Sequence, residues 1–257
     1  MEYKTIRGER VPSLGLGTYR LRGEACARAV ERALSMGYRH VDTAQMYANE
    51  AEVGRGIEAS GVDRGEVFLT TKVWPDDFAR ERVVQKTRES LKKLGTDYVD
   101  LLLMHWPPGG RVPLEETLGA MRGLQEEGGV LHVGVSNFSP SLVEEASRHA
   151  EIFCNQVEYH PYKDQGALLE QAREMDYLLT AYKPLSRGGV EEDATLREIG
   201  EAHGKTAAQV ALRWLVQQEK VCAIPKATGE DHLRANLDVF DFELSEEEMD
   251  RVSMLRR

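Results

Sequence analysis

Asp42, Tyr47, Lys72 and His105 carry the side chains needed to move a proton onto or off an oxygen atom. Asp42, Lys72 and His105 each close a short apolar run: HVDTA (40–44), VFLTTKV (67–73) and VDLLLMH (99–105). Tyr47 follows Asp42 by five residues. A charge at the buried end of a strand is costly unless it is paired or used in chemistry. Singly, Asp42 reads as a helix cap, Lys72 as its ion-pair partner and His105 as a core histidine. At three successive strand ends they read better as one site. A free phenol, with a pKa near ~10, is a reluctant proton donor at neutral pH. An ammonium at ~4 Å favours phenolate by at most about 4 kcal/mol at an effective dielectric of ~20. Lys72 is therefore expected to lower the Tyr47 pKa, with Asp42 holding Lys72 charged and weakening that effect. His105 would hydrogen-bond and orient a substrate oxygen. The set suits proton donation to a carbonyl oxygen as it gains negative charge.

These residues need a scaffold that brings strand ends together. Apolar runs occur at 14–19, 40–44, 67–73, 99–105, 131–137, 153–159, 177–183 and 221–227. They are rich in Val, Ile, Leu and Thr without strict alternation, as in strands buried on both faces. Between them lie amphipathic segments with helical signals. The segment 25–37 repeats Ala29, Val30, Ala33 and Leu34; the segment 77–95 ends on Gly95. Thr206 with Gln209, and Ser245 with Glu248, have capping-box spacing, and Ser139-Pro140 reads as an N-cap followed by a first helical position. EYKTI, a turn at 7–9 and RVPSLGL read as an N-terminal β-hairpin. The expected fold is α/β: a (β/α)8 TIM barrel with an N-terminal hairpin, one unit over 1–257, its site at the C-terminal strand ends. A dinucleotide-binding open sheet is disfavoured, because GLGTYR (15–20) lacks the third glycine and does not open into a helix.

Several motifs, in order, resemble the aldo-keto reductase family. GYRHVDTAQMYANEAEVG (37–54) resembles its segment around the catalytic Asp and Tyr, LTTKVW (69–74) its lysine segment, and DYVDLLLMHWP (97–107) its histidine segment. VGVSNF (133–138), CNQVEYHPY (154–162) and IPKATGEDHLRANL (224–237) resemble its cofactor segments. The similarity runs from about residue 5 to residue 250. It implies NAD(P)H-dependent reduction of aldehydes and ketones, without a metal, with Tyr47 as general acid tuned by Lys72 and Asp42. His105 and Trp74 would bind substrate. Ser136, Asn137 and Gln156 would hold the nicotinamide carboxamide, Tyr182 would stack on the ring, and Thr18 and Asp42 would lie near its ribose. Leu185, Ser186 and Arg187 would cover the pyrophosphate. Lys226, Ala227, Thr228, His232 and Asn236 fall in the segment that takes the 2′-phosphate of NADPH.

The chain departs from the usual family pattern in two places. Ala227 stands where Ser is common, and His232 where an Arg often grips the phosphate. A neutral His is a weaker partner than a bidentate Arg. NADPH is expected, with NADH also usable. A lysine ending the last strand beside a helix start at about Glu230 still makes an anion site. The chain after HWP is short, and it stops at Arg257 after the last helical segment. Both features resemble compact prokaryotic members and imply an open mouth that takes small aldehydes, dicarbonyls or keto-sugars. Arg111, in that short stretch, reads as a solvated surface arginine.

Composition narrows the alternatives. A net charge of -10 argues against nucleic acid or an anionic membrane as partner. The charged N-terminus and the lack of a long apolar run point to a cytoplasmic protein. The resemblance implies a monomer. Cys26, Cys154 and Cys222 read as buried reduced thiols, and His40, His132, His149, His160 and His203 as structural, since no spacing makes them metal ligands. A carboxylate-driven hydrolase would want paired acids at the mouth; Glu158 has no evident second. A catalytically silent cofactor-binding or structural protein on the same fold is the alternative, and the intact Asp42, Tyr47, Lys72 and His105 set argues against it.

Overall fold

The computed structural model describes residues 1–255, so the last two residues of the expected 1–257 unit lie outside it. The chain opens with an antiparallel hairpin, β1 (Tyr3–Ile6) and β2 (Glu9–Pro12), turning at Arg7-Gly8 with both residues at positive φ. Eight parallel strands follow: β3 (Leu16–Gly17), β4 (His40–Asp42), β5 (Phe68–Val73), β6 (Val99–Met104), β7 (Val130–Ser136), β8 (Cys154–Glu158), β9 (Leu178–Tyr182) and β10 (Val221–Ala223). Each hydrogen-bonds to its sequence neighbour, so the strand order is sequential. The ring closes where Leu14 bridges Ala223 in parallel, with Gly15 N donating to Ala223 O at 2.8 Å and Ala223 N to Ser13 O at 2.9 Å. This is the expected (β/α)8 barrel.

Helices α1 (Gly23–Ser35), α2 (Glu50–Ser60), α3 (Arg80–Leu94), α4 (Leu114–Glu126), α5 (Pro140–Ser147) and α6 (Gly166–Met175) form the crossovers, one between each successive pair from β3 to β9. Two helices, α7 (Ala194–His203) and α8 (Ala207–Gln217), separate β9 from β10, and α9 (Glu230–Leu237) and α10 (Glu246–Ser253) follow β10. Their caps match the sequence signals: Thr206 and Ser245 make full capping boxes, Ser139 Oγ accepts from Leu142 N, and Gly95 closes α3 in the left-handed region. The strands bury both faces, as Val- and Leu-rich runs between helices require; every residue of β5 is buried.

Two expected strands fill less than half of their apolar runs. The run at 14–19 yields strand only at Leu16–Gly17, and the run at 221–227 ends at Ala223. Pro225 has no N–H to continue the ladder, although its carbonyl still accepts from Gly17 N at 3.1 Å. Lys226 thus lies past the strand on an exposed loop rather than ending the strand. The helix expected over 77–95 starts at Arg80, because Pro75–Asp77 forms a separate 3-10 turn that tucks Phe78 into the core.

Candidate active site

The strand ends bring together the residues that the sequence singled out. Lys72 is fully buried, and its three N–H groups all find acceptors: Asp42 Oδ1 at 2.6 Å, the Thr43 carbonyl at 2.8 Å and Tyr47 Oη at 3.4 Å. The other oxygen of Asp42 accepts from Gln156 Nε2 at 2.7 Å, so the buried carboxylate is held from two sides. The Asp42 carbonyl accepts from Thr18 Oγ1 at 2.9 Å. Tyr47 sits on a 3-10 turn, Gln45–Tyr47, between β4 and α2. His105 directly follows β6, where its backbone N–H extends the ladder to Val73 O at 3.0 Å. Its ring meets Tyr47 and Trp74 edge to face, at centroid distances of 5.7 and 5.2 Å.

Electrostatics departs from expectation at Tyr47. Burial pushes its phenol above the ordinary 10.0, and the Lys72 charge offsets only part of that. The ammonium is committed to Asp42 and Thr43 at short range and reaches the phenol by its longest bond. Burial pulls Lys72 down, but Asp42 and then Tyr47 outweigh it, and its pKa ends above 10.5. Burial, with Lys72 as a second cause, lowers His105 to about 3. At neutral pH Lys72 is therefore an ammonium, Tyr47 a protonated phenol and His105 a neutral imidazole. His105 Nδ1 is buried and meets no hydrogen-bond partner among the described residues.

A second arc of polar groups faces this cluster. Ser136 Oγ donates to Gln156 O at 2.7 Å and accepts from Asn137 Nδ2 at 3.0 Å; Tyr182 Oη donates to Asn137 Oδ1 at 2.8 Å. Asn137 is in the left-handed region at φ 64 and also reaches the His105 carbonyl at 3.2 Å. Beyond β9, Lys183, Ser186, Arg187 and Gly188 all have positive φ. A run of left-handed residues is strained, and such strain clusters at ligand sites. Within this loop Leu185 is half-buried against the core and Arg187 is exposed. At α9, Gly229 is an N-cap with no side chain to take the first N–H groups, and the exposed Lys226, Thr228 and His232 stand nearby in sequence, with the His232 ring folded back toward Gly229. Such a helix start with a lysine suits a phosphate, and the left-handed loop suits a pyrophosphate, so these residues fit a phosphorylated dinucleotide. Ala227 and Asn236 are buried, the latter against Tyr38. Arg234 is exposed and ion-paired to Glu230 at 3.1 Å.

Other residues belong to the site without having been singled out. Tyr19 packs on Tyr47 with ring centroids 5.1 Å apart; it, Met46 and Trp106 are large apolar side chains left exposed near the strand ends. Thr43 serves through its backbone carbonyl, for which a sequence holds no signal. Asn49 is fully buried and ties the turn after Tyr47 to the loop before α1, through Thr18 O at 2.9 Å and Leu21 O at 3.1 Å. Its signal was its place two residues past Tyr47. Glu158 is paired with Lys183 at 2.9 Å and lies 3.6 Å from His160. Among the described residues no group of three or more His, Cys, Asp and Glu side chains converges as metal ligands, and no helix is long and apolar enough to cross a membrane.

An eight-stranded parallel barrel thus brings a lysine, an aspartate, a phenol and an imidazole together at the C-terminal ends of its strands. The sequence profile of the Aldo/keto reductase family matches residues 13–257, and the chain belongs to that family. It is 40% identical over 257 residues to a glyoxal reductase of Bacillus subtilis (strain 168), covering 99% of this chain and 92% of the relative. A 9,11-endoperoxide prostaglandin H2 reductase of Trypanosoma cruzi (strain CL Brener) is 41% identical over 252 residues, covering 96% of this chain and 88% of that one. Among solved structures, a candidate 2,5-diketo-D-gluconic acid reductase B superposes with a TM-score of 0.97 at 49% identity, covering 100% of this chain and 92% of the other.

Proposed function

We propose that the chain is an NADPH-dependent reductase of small aldehydes, dicarbonyls and keto-sugars, with Tyr47 as proton donor. The observation that carries this reading is the buried Lys72, hydrogen-bonded at once to Asp42 and to Tyr47 Oη. As the carbonyl is reduced its oxygen gains negative charge, and Tyr47 Oη gives it a proton. Lys72 then steadies the phenolate that remains, and Asp42 keeps Lys72 charged. Neutral His105 orients the carbonyl oxygen by donating an N–H, and Trp74 walls the pocket. When bound, NADPH supplies the hydride.

The chain's remaining residues divide along the length of that cofactor. Ser136, Asn137 and the free amide oxygen of Gln156 hold the carboxamide, and Tyr182 presents its ring to the nicotinamide. Thr18 and Asp42 border the ribose. Leu185, Ser186 and Arg187 cover the pyrophosphate, and Lys226, Ala227, Thr228, His232 and Asn236 form the 2′-phosphate end. Arg234 is engaged by Glu230 and the first turn of α9 carries Glu230 and Asp231, so NADPH is preferred only weakly and NADH is also usable. The names of relatives support the substrate class: one is a glyoxal reductase and another, 38% identical over 249 residues, a methylglyoxal reductase of Salmonella typhi. The reading extends to a cytoplasmic monomer that binds neither nucleic acid nor membrane.

The test is cofactor oxidation, followed by absorbance, with glyoxal, methylglyoxal and small aldehydes. NADPH and NADH are run in parallel. Tyr47→Phe should keep NADPH binding, read by fluorescence, and lose about 10²- to 10⁴-fold in turnover. A Tyr47→Phe enzyme running near the parent rate removes Tyr47 from the reaction. No turnover in the parent, with cofactor bound, removes the reductase reading.

A further inference from the structure

The bond from Lys72 to Tyr47 is the longest of the three that Lys72 makes, 3.4 Å against 2.6 and 2.8 Å. Lys72 alone does not fix where the phenol stands. Beside the ring contacts with His105 and Tyr19, that position depends on the short backbone turn Gln45–Tyr47, and the phenol is the end of a long lever on that turn. The turn has no side-chain cap, and Ala48 closes it at φ 52, a left-handed conformation that costs an alanine energy. Left to itself such a turn relaxes.

Two side-chain hydrogen bonds tie it to separate parts of the fold. Arg22, in the loop between β3 and α1, donates from Nη1 to the Tyr47 carbonyl at 2.6 Å. Gln45, inside the turn, donates from Nε2 to Ser90 Oγ of α3 at 3.1 Å. Both anchors are themselves fixed. Ser90 is fully buried and donates back to Lys86 O at 3.0 Å, and the loop carrying Arg22 is fastened by the two Asn49 bonds to Thr18 and Leu21. Neither Arg22 nor Gln45 contacts Asp42, Lys72 or His105 in these hydrogen bonds.

We propose that Arg22 and Gln45 are positioning residues for proton transfer, clamping the turn so that Tyr47 Oη stays between Lys72 and the substrate oxygen. The inference rests on the reductase reading. Misplacing a proton donor by a fraction of an ångström slows the chemical step while leaving substrate and cofactor contacts in place.

The experiment compares single-turnover reduction of methylglyoxal by the parent, Arg22→Ala, Arg22→Lys and Gln45→Ala enzymes with NADPH, in water and in deuterium oxide. The expected loss is about tenfold for each truncation, which corresponds to about 1.4 kcal/mol on the barrier. The solvent isotope effect should rise, because proton delivery becomes more limiting. Kd for NADPH and KM for methylglyoxal should stay within about twofold, and Arg22→Lys, which keeps a donor, should recover most of the rate. Thermal midpoints should stay within about 4 °C of the parent, since one lost hydrogen bond costs about 1 kcal/mol. Rates within about twofold of the parent in both truncations overturn the clamp. So does a loss that the lysine fails to recover, or one with an unchanged isotope effect. An inactive parent fails the reductase reading and takes the clamp with it; an active parent with unaffected variants fails the clamp alone.

Discussion

His105 has the most information to give about how charge is distributed at the site. Its imidazole, held at about 3 by burial and by Lys72, is neutral around pH 7. In the proposed reaction it would act through an N–H and not through a positive charge. Reduction should therefore show no acidic limb from His105, and kcat/KM for methylglyoxal should be flat from roughly pH 6 to pH 9, with Tyr47 protonated throughout. His105→Gln keeps an N–H donor and should retain more activity than His105→Leu, for which a loss of about 10²- to 10³-fold is expected. A bell centred on an ordinary histidine pKa, or equal losses in the two variants, would contradict a neutral donor. At this scale the sequence named Asp42, Tyr47, Lys72 and His105 because ionisable groups at strand ends are conspicuous. It misjudged the direction of the Tyr47 shift, because burial raises the phenol by more than the shared Lys72 charge lowers it. Asp42 and the Thr43 carbonyl take the Lys72 ammonium at 2.6 and 2.8 Å, and neither distance is written in the residue types.

At the scale of elements, patterns of apolar residues located every barrel strand, and cap chemistry located helix ends. What escaped was termination by partners. The last strand stops at Ala223 because its ladder passes to Leu14 and then meets Pro225, and this moves Lys226 onto a loop. Close approach between helices was equally invisible. Gly54, midway along α2, lies where a Cβ would collide with the backbone carbonyl of Leu94 at the end of α3. Backbone on both sides leaves no flexible side chain to give way. Gly54→Ala should destabilise the fold by about 1–3 kcal/mol, in spite of the better helix propensity of alanine. Gly123, in α4 with nothing near its Cβ, is the control; Gly123→Ala should stabilise by up to about 1 kcal/mol. Urea unfolding of the two variants checks this, and a Gly54→Ala protein as stable as its parent would mean that α2 and α3 slide freely. That sliding would matter, because α2 begins three residues after Tyr47 and α3 carries Ser90.

For the whole molecule, the same burial that tunes the site makes the fold sensitive to acid. His40 sits in the barrel interior with its ring against Phe68 at 5.1 Å, and burial lowers it to about 4; His105 is at about 3. Both are neutral in the folded chain and take up a proton near pH 6.5 once unfolded. Between pH 6.5 and about 4 the unfolded state therefore binds more protons, and stability rises with pH across that window. It is fully present above pH 6.5 and lost as pH falls, by at most about 1.4 kcal/mol per pH unit for each histidine, or about 3 for the pair. His132 and His160 are shifted in the same direction, mainly by burial, and add to the slope. Urea midpoints should thus fall steadily from pH 7 to pH 4.5, roughly, with a shallower slope in His105→Gln, which removes one of the groups. Midpoints that do not change over that range would mean that water or relaxation lets the buried imidazoles protonate in place. The neutral His105 assumed in the reaction would then lose its basis, so one denaturation series measures both the cost of burying the site and the charge state that its chemistry requires.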